Sequence, residues 1–186
     1  MRKIVAGLFV SLDGVIEEPN DWIGPYFSPE IGQAVGSMMA AQDAMLLGRV
    51  TYDAFAAHWP QQSGGMADTM NGTPKYVVSG TLTSADWQNT TLIRAGNAAA
   101  EIARLKQGPG RNIGMTGSAT LVAWLLRQGL LDELNLLLFP VVIGRGKRLS
   151  GDEAGAVGLK LARSEAFGTG VVHLVYTPES KGAHHA

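Results

Sequence analysis

The sequence predicts an α/β domain built on a mostly parallel sheet, with antiparallel strands added at one edge. Strand-like and helix-like segments alternate over the first two-thirds of the chain. The last third holds strand-like segments alone. Several strands also hand over to the next element through small polar turns, the usual place for a ligand in such a sheet.

Taken in order, residues 4–9 are an apolar run rich in β-formers and read as a buried first strand. Residues 10–28 carry Asp13-Gly14, Pro19-Asn20 and Gly24-Pro25, all turn chemistry, and a loop of that length is usually functional. Ser28-Pro29-Glu30 then opens a helix, with serine as N-cap, proline at N1 and an acid in the first turn, running to about residue 42. Residues 44–48 form a short buried strand and 51–59 a helix ended by Pro60. Residues 61–73 read as a polar, Gly-rich loop. Strands follow at 75–79 and 91–94, a helix at 97–106, and a strand at 112–115. The helix at 118–128 is strongly apolar and is closed by Gly129. Residues 133–142 are a Leu-rich strand interrupted by Pro140, fit for an interior position or for a dimer seam. Residues 144–147 form a loop. Residues 159–166 and 171–177 alternate in period two and suit a terminal hairpin.

The 186 residues, 46% of them hydrophobic, suffice for one domain over 1–178 followed by a disordered polar tail over 179–186. The net charge of -1, with neither sign clustered, argues against a nucleic-acid partner. The chain has no cysteine, which excludes disulfides, thiolate catalysis and thiolate metal ligands. His58 and His173 show no metal-type spacing, and no metal site is assigned. The first apolar run is too short for a signal peptide, and no stretch nears the roughly 20 residues that span a bilayer. A soluble cytoplasmic protein acting on a small molecule is expected.

Two turns have the composition of an anion cradle. In Leu47-Gly48-Arg49-Val50-Thr51-Tyr52, Gly48 lets the backbone approach a ligand closely. Thr51 and the helix start offer donors, and Arg49 adds a planar fork matched to phosphate. A plain strand-to-helix turn with a solvated arginine would look the same. In Thr116-Gly117-Ser118-Ala119-Thr120-Leu121, Gly117 permits close approach and the hydroxyls can donate. This is not the G-x-G-x-x-G fingerprint, and close helix packing is the other reading. Ser79-Gly80 is a third small polar turn after a strand.

The ordered set of motifs resembles the dihydrofolate reductase superfamily, and more closely the RibD C-terminal family, the reductase domain of riboflavin biosynthesis. The motifs are Ser11-Leu12-Asp13-Gly14, Leu47 to Tyr52, Tyr76-Val77-Val78-Ser79, Thr116-Gly117-Ser118, Gly129 to Leu134, and Pro140 to Gly146. The resemblance implies a three-layer α/β/α reductase fold, NADPH as hydride donor, and a homodimer. It implies that Gly48, Arg49 and Thr51 hold the adenosine-side phosphates, and that Ser79 and Gly80 lie near the 2′-phosphate and adenine. Thr116, Gly117, Ser118, Ala119 and Leu121 would hold the pyrophosphate, and Ala6 would approach the nicotinamide amide. Residues 10–24 would form the mobile active-site loop. The zinc deaminase signature of the bifunctional riboflavin enzyme is absent.

Candidate proton sources are Asp13, Glu30 or a water. Asp13 also suits an Asx-turn with Gly14, and Glu30 suits a surface acid that compensates the helix dipole. Trp22 and Tyr26 suit a substrate-stacking wall, loop plugs or dimer contacts. The activity implied is reduction of 5-amino-6-(5-phosphoribosylamino)uracil. The alternatives are a dihydrofolate or pteridine-type reductase and a non-catalytic NADP-binding dimeric protein.

Overall fold

The first strand, β1 (Ile4–Ser11), is apolar along its length because both of its faces are covered. In the computed structural model, which describes residues 1–149 and 155–179, it lies inside an eight-stranded sheet. The other strands are β2 (Gln42–Gly48), β3 (Lys75–Ser79), β4 (Thr90–Arg94), β5 (Asn112–Met115), β6 (Glu133–Phe139), β7 (Leu159–Ala166) and β8 (Val172–Pro178). Their order is β4-β3-β2-β5-β1-β6-β8-β7. The first six are mutually parallel, while β8 runs antiparallel to β6 and β7 antiparallel to β8. This is the expected sheet, with its antiparallel pair at one edge.

Helices cover both faces. On one face α4 (Ala98–Gln107) and α5 (Ala119–Gln128) set Ile102, Val122 and Leu125 against Ile4, Ala6 and Leu8 of β1. On the other face lies α1 (Pro29–Ala40), whose Ile31 packs with Leu137 and Phe139 of β6. Beside it, α2 (Arg49–His58) and α3 (Gly65–Gly72) bury Tyr52 and Met70 against Leu47 and Val77. The three layers follow from which strand residues alternate to which side. Helix α5 has both of its sequence-predicted ends. Ser118 accepts from Leu121 N–H, and Gly129 closes it at φ 67°, donating to Leu125 and Leu126.

Helix α3 occupies the segment expected to be a loop. Its poor helix formers, Gly65, Thr69, Asn71 and Gly72, are held by tertiary contacts. Ala67 and Met70 are buried, and Lys75, itself fully buried, reaches back to the helix end. Its ammonium donates to the carbonyls of Met70, Asn71 and Thr73 at 2.9, 3.1 and 2.7 Å and stands 4.1 Å from the Trp87 ring centre. A buried cation therefore caps this helix, together with Asn89 Nδ2, which donates to the carbonyls of Asn71 and Gly72 at 3.1 and 3.2 Å.

Some element boundaries also differ from expectation. β6 stops at Phe139 instead of 142, since Pro140 has no N–H to continue the ladder. β6 lies between β1 and β8, so its apolar run marks an interior strand. Helix α1 ends at Ala40 because Gln42 already pairs with Asn112 of β5. Glu179, the first residue of the expected tail, donates its N–H to Gly158 O at 2.9 Å. Residues 180–186 lie outside the described residues. Among the described residues, no helix is long and apolar enough to cross a membrane.

Candidate cofactor site

The parallel strands end on one edge of the sheet, at Ser11, Gly48, Ser79, Met115 and Phe139. β2 and β5 are neighbours, so the two predicted turns are brought side by side. A Cβ built on Gly48 would lie 2.5 Å from Ser118 Oγ, and one on Gly117 would lie 3.0 Å from Thr51 Oγ1. Each glycine is thus filled by a hydroxyl of the other turn. Gly117 also sits at φ 148°, which favours glycine. The peptide joining Gly117 to Ser118 is cis.

The junction sets two helix starts together. α2 begins at Gly48, which has no side chain to cap it, so the first-turn N–H groups of Arg49, Val50 and Thr51 are offered outward. In α5 the Ser118 hydroxyl takes the Leu121 N–H at 3.4 Å. That leaves Ala119 and Thr120 N–H as the donors there, and Leu121 itself is buried in the core. Both dipoles favour an anion at this edge. Arg49 forms a half-exposed pair with Asp53 at 3.0 Å. Such a surface pair is worth at most about 1 kcal/mol, so a phosphate can compete for the guanidinium.

Beside the cradle, the two ladders of β1 differ in length. The ladder between β1 and β5 stops at Ala6–Met115, whereas that between β1 and β6 runs on to Ser11–Phe139. The β5-side backbone of β1 beyond Ala6 has no ladder partner. The Ala6 side chain itself is buried in the core, so this position meets a ligand through backbone. Unladdered backbone donors and acceptors at the strand ends suit a planar amide. The uncapped start of α2, the free first-turn N–H groups of α5, glycines whose Cβ space is filled, and the unladdered stretch of β1 together fit a dinucleotide.

Ser79 is 5% exposed, and its hydroxyl accepts from Thr81 and Leu82 N–H at 3.1 and 3.0 Å. It shapes its own turn, and Gly80 packs against Ala95. Arg94 was not singled out by the sequence. It is the register partner of Ser79 and donates to the carbonyls of Leu82 and Thr83. Strand register, which carries no local motif, was the signal that would have found it.

Asp13 is a brace between two loops. Its carboxylate accepts from Ser11 Oγ at 2.7 Å, Ile143 N–H at 3.0 Å and Gly144 N–H at 2.8 Å. Arg148 Nη2 stands 3.7 Å away. The Ser11 hydroxyl, then the two N–H groups, hold this carboxyl well below the usual carboxylate range. The loop after β1 is further tied down by Ile16 N–H to Lys147 O at 3.0 Å and Leu149 N–H to Gly14 O at 3.2 Å. Glu30 accepts from Ser28 Oγ at 2.7 Å and from Gly168 N–H at 3.4 Å, and its pKa is lowered by those bonds in that order. Neither acid is a ready proton donor.

Trp22 and Tyr26 both meet Phe139 edge-on, with ring centres 5.5 and 6.2 Å apart. Trp22 is 8% exposed, and its indole N–H donates to Glu17 O at 3.1 Å. Of the roles open to it in the sequence, the plug of the loop is the one its packing matches.

The family model described as "RibD C-terminal domain" matches residues 2–173. The uncharacterized protein YyaP of Bacillus subtilis (strain 168) is 32% identical over 183 residues, covering 94% of each chain. Among solved structures, a Shewanella sp. PV-4 protein provisionally described as a riboflavin biosynthesis protein superposes with TM-score 0.75 at 20% identity, over 97% of this chain and 100% of that one. Dihydrofolate reductase from Enterococcus faecalis, solved with NADP(H), superposes with TM-score 0.65 at 11% identity, over 96% and 97%. These structures share the fold, and the family match spans nearly the whole chain: this protein belongs to the RibD C-terminal domain family and has the dihydrofolate reductase-like fold.

Proposed function

We propose that the protein is an NADPH-dependent reductase of a small heterocyclic substrate, closest in chemistry to the reduction of 5-amino-6-(5-phosphoribosylamino)uracil. The observation that carries this reading is the junction of the Gly48 and Ser118 turns. It brings the starts of α2 and α5 side by side at the strand ends, next to the stretch of β1 that β5 leaves unpaired. When bound, NADPH supplies the hydride. The chain supplies the rest: Arg49, Thr51, Ser118 and the first-turn N–H groups bind phosphate, Ser79, Gly80 and Arg94 shape the adenosine end, and β1 backbone orients the amide. Positioning of this kind needs little further help from side chains.

The proton is a separate matter. Asp13 and Glu30 are both bonded and held low, which favours delivery by water over either acid. The same observation keeps a second reading open, a non-catalytic NADP-binding protein. A pteridine reductase is the other substrate class. We also propose a homodimer, which light scattering of the purified protein tests.

Titration with NADPH and NADH, followed by a substrate screen that monitors loss of cofactor absorbance, tests the reading. NADPH is expected to bind about tenfold tighter or more, the size of one charge-assisted hydrogen bond. Equal affinities would sink the 2′-phosphate part. Turnover of pyrimidine or pteridine substrates separates the enzyme classes, and binding without any turnover favours the second reading. Arg49→Ala should weaken NADPH, and unchanged binding removes the role given to that turn.

A further inference from the structure

A second cleft, of about 520 Å³, runs beside α1 and shares no residue with the strand-end cradle. Its floor holds Asn135 of β6 and His173 of β8, its outer wall Arg163 and Glu165 of edge strand β7, and its α1 wall Glu30 and Gln33. His173 and Asn135 are 2% and 3% exposed, so their polar atoms depend on protein partners.

Those partners fix every hydrogen. Arg163 Nη2 stands 3.2 Å from His173 Nδ1. A guanidinium has donors only, so Nδ1 accepts and carries no proton. The ring proton is then on Nε2, which donates to Asn135 Oδ1 at 3.0 Å. Asn135 Nδ2 donates in turn to Glu133 Oε1 at 2.9 Å. One directed chain of hydrogen bonds thus ties β7 to β8 and β6.

We propose that this chain is an acid-sensitive latch, in which protonation of His173 releases Arg163 and with it edge strand β7, the outer wall of the cleft. A proton on Nδ1 sets donor against donor and adds a cation beside the guanidinium. The groups facing the ring are Arg163 and Glu165 from β7, Glu133 and Asn135 from β6, and the Phe167 ring at 6.3 Å from the hairpin. Glu30 lines the cleft from α1, but its carboxylate is taken by Ser28 and Gly168. Burial first, then Arg163, lowers the pKa of His173, while Glu165 and Glu133 oppose them and lose. With a lowered native pKa, the opened chain takes the proton more readily. The latch is therefore firm at neutral pH and weakens as pH falls below about 6.5.

Hydrogen exchange of the full chain, corrected for intrinsic rates, tests this between pH 7.5 and 5. Protection of residues 159–166 should drop about tenfold or more on acidification, the scale of losing one charge-assisted hydrogen bond, while β1 holds. His173→Gln offers Arg163 an acceptor and Asn135 a donor but cannot titrate, so its β7 protection should not change with pH. A pH-independent β7 in the wild type, or the same pH dependence in His173→Gln, overturns the latch. The nitrogen shifts of His173 give an answer that needs no variant. They should report the Nε2–H tautomer at neutral pH, and a proton on Nδ1 there refutes the proposal.

Discussion

Gly48→Ala is the sharpest perturbation of the cradle. The backbone of Gly48 has φ -81° and ψ 160°, which alanine adopts without strain, so the whole effect is steric. The new Cβ would stand 2.5 Å from Ser118 Oγ, about 0.9 Å short of an ordinary contact beginning at 3.4 Å. Ser118 must rotate or the turns must part. Rotation gives up the N-cap of α5, worth about 1 kcal/mol, and parting overpacks a closed junction, costing about 1–3 kcal/mol. Urea denaturation should show a loss of about 1–3 kcal/mol, and calorimetric titration should show NADPH binding weakened about tenfold or more, since both helix starts shift off one ligand. Ser118→Ala removes the opposing oxygen, so the double variant should recover part of the Gly48→Ala loss. A coupling of at least about 1 kcal/mol is expected, because the two sites touch. Strictly additive losses, or unaltered NADPH affinity in Gly48→Ala, would refute the interlock.

Other outcomes follow from the same contacts. Asp13→Asn should loosen residues 140–149 in hydrogen exchange, with little change in β3. Because the native pKa of Asp13 is lowered, its stabilisation is present above the unfolded value and lost as pH falls below about 4, so urea midpoints of wild type and variant should converge in acid. Lys75→Met takes the ammonium from the carbonyls of Met70, Asn71 and Thr73, of which Asn71 O keeps Asn89 Nδ2 at 3.1 Å, and should cost about 2–4 kcal/mol in denaturation, with α3 the first segment to exchange. A Lys75→Met protein as stable as the wild type would mean that α3 stands without its cation.

Much of the fold was legible because its signals are local. Ser118 and Gly129 bracket α5, Pro29 starts α1, and the β-rich runs sit where the strands are. α3 was not legible, since its propensities oppose a helix and its cap comes from Lys75, beyond its own end. The site shows the same divide. Gly48, Arg49, Thr116, Gly117 and Ser118 were readable as two turns. Their contact was not, because it depends on β2 and β5 lying side by side. The open edge of β1 depends on how early β5 stops, and Asp13 finds Ile143 across 130 residues of chain. A carboxylate beside a glycine announces a turn, and only the closed fold turns it into a brace.

The central place of β1 bears on how the chain acquires its structure. Its neighbours in the sheet are β5 and β6, whose residues begin at Asn112 and Glu133. β1 is therefore synthesised more than 100 residues ahead of either neighbour and waits for them before it can pair on either side. Contacts this distant in sequence slow folding and leave a hydrophobic strand open to other chains meanwhile. The Gly48 turn waits likewise for Ser118. The strand-end cradle is thus a late product of folding, absent from any early intermediate that lacks β5 and α5.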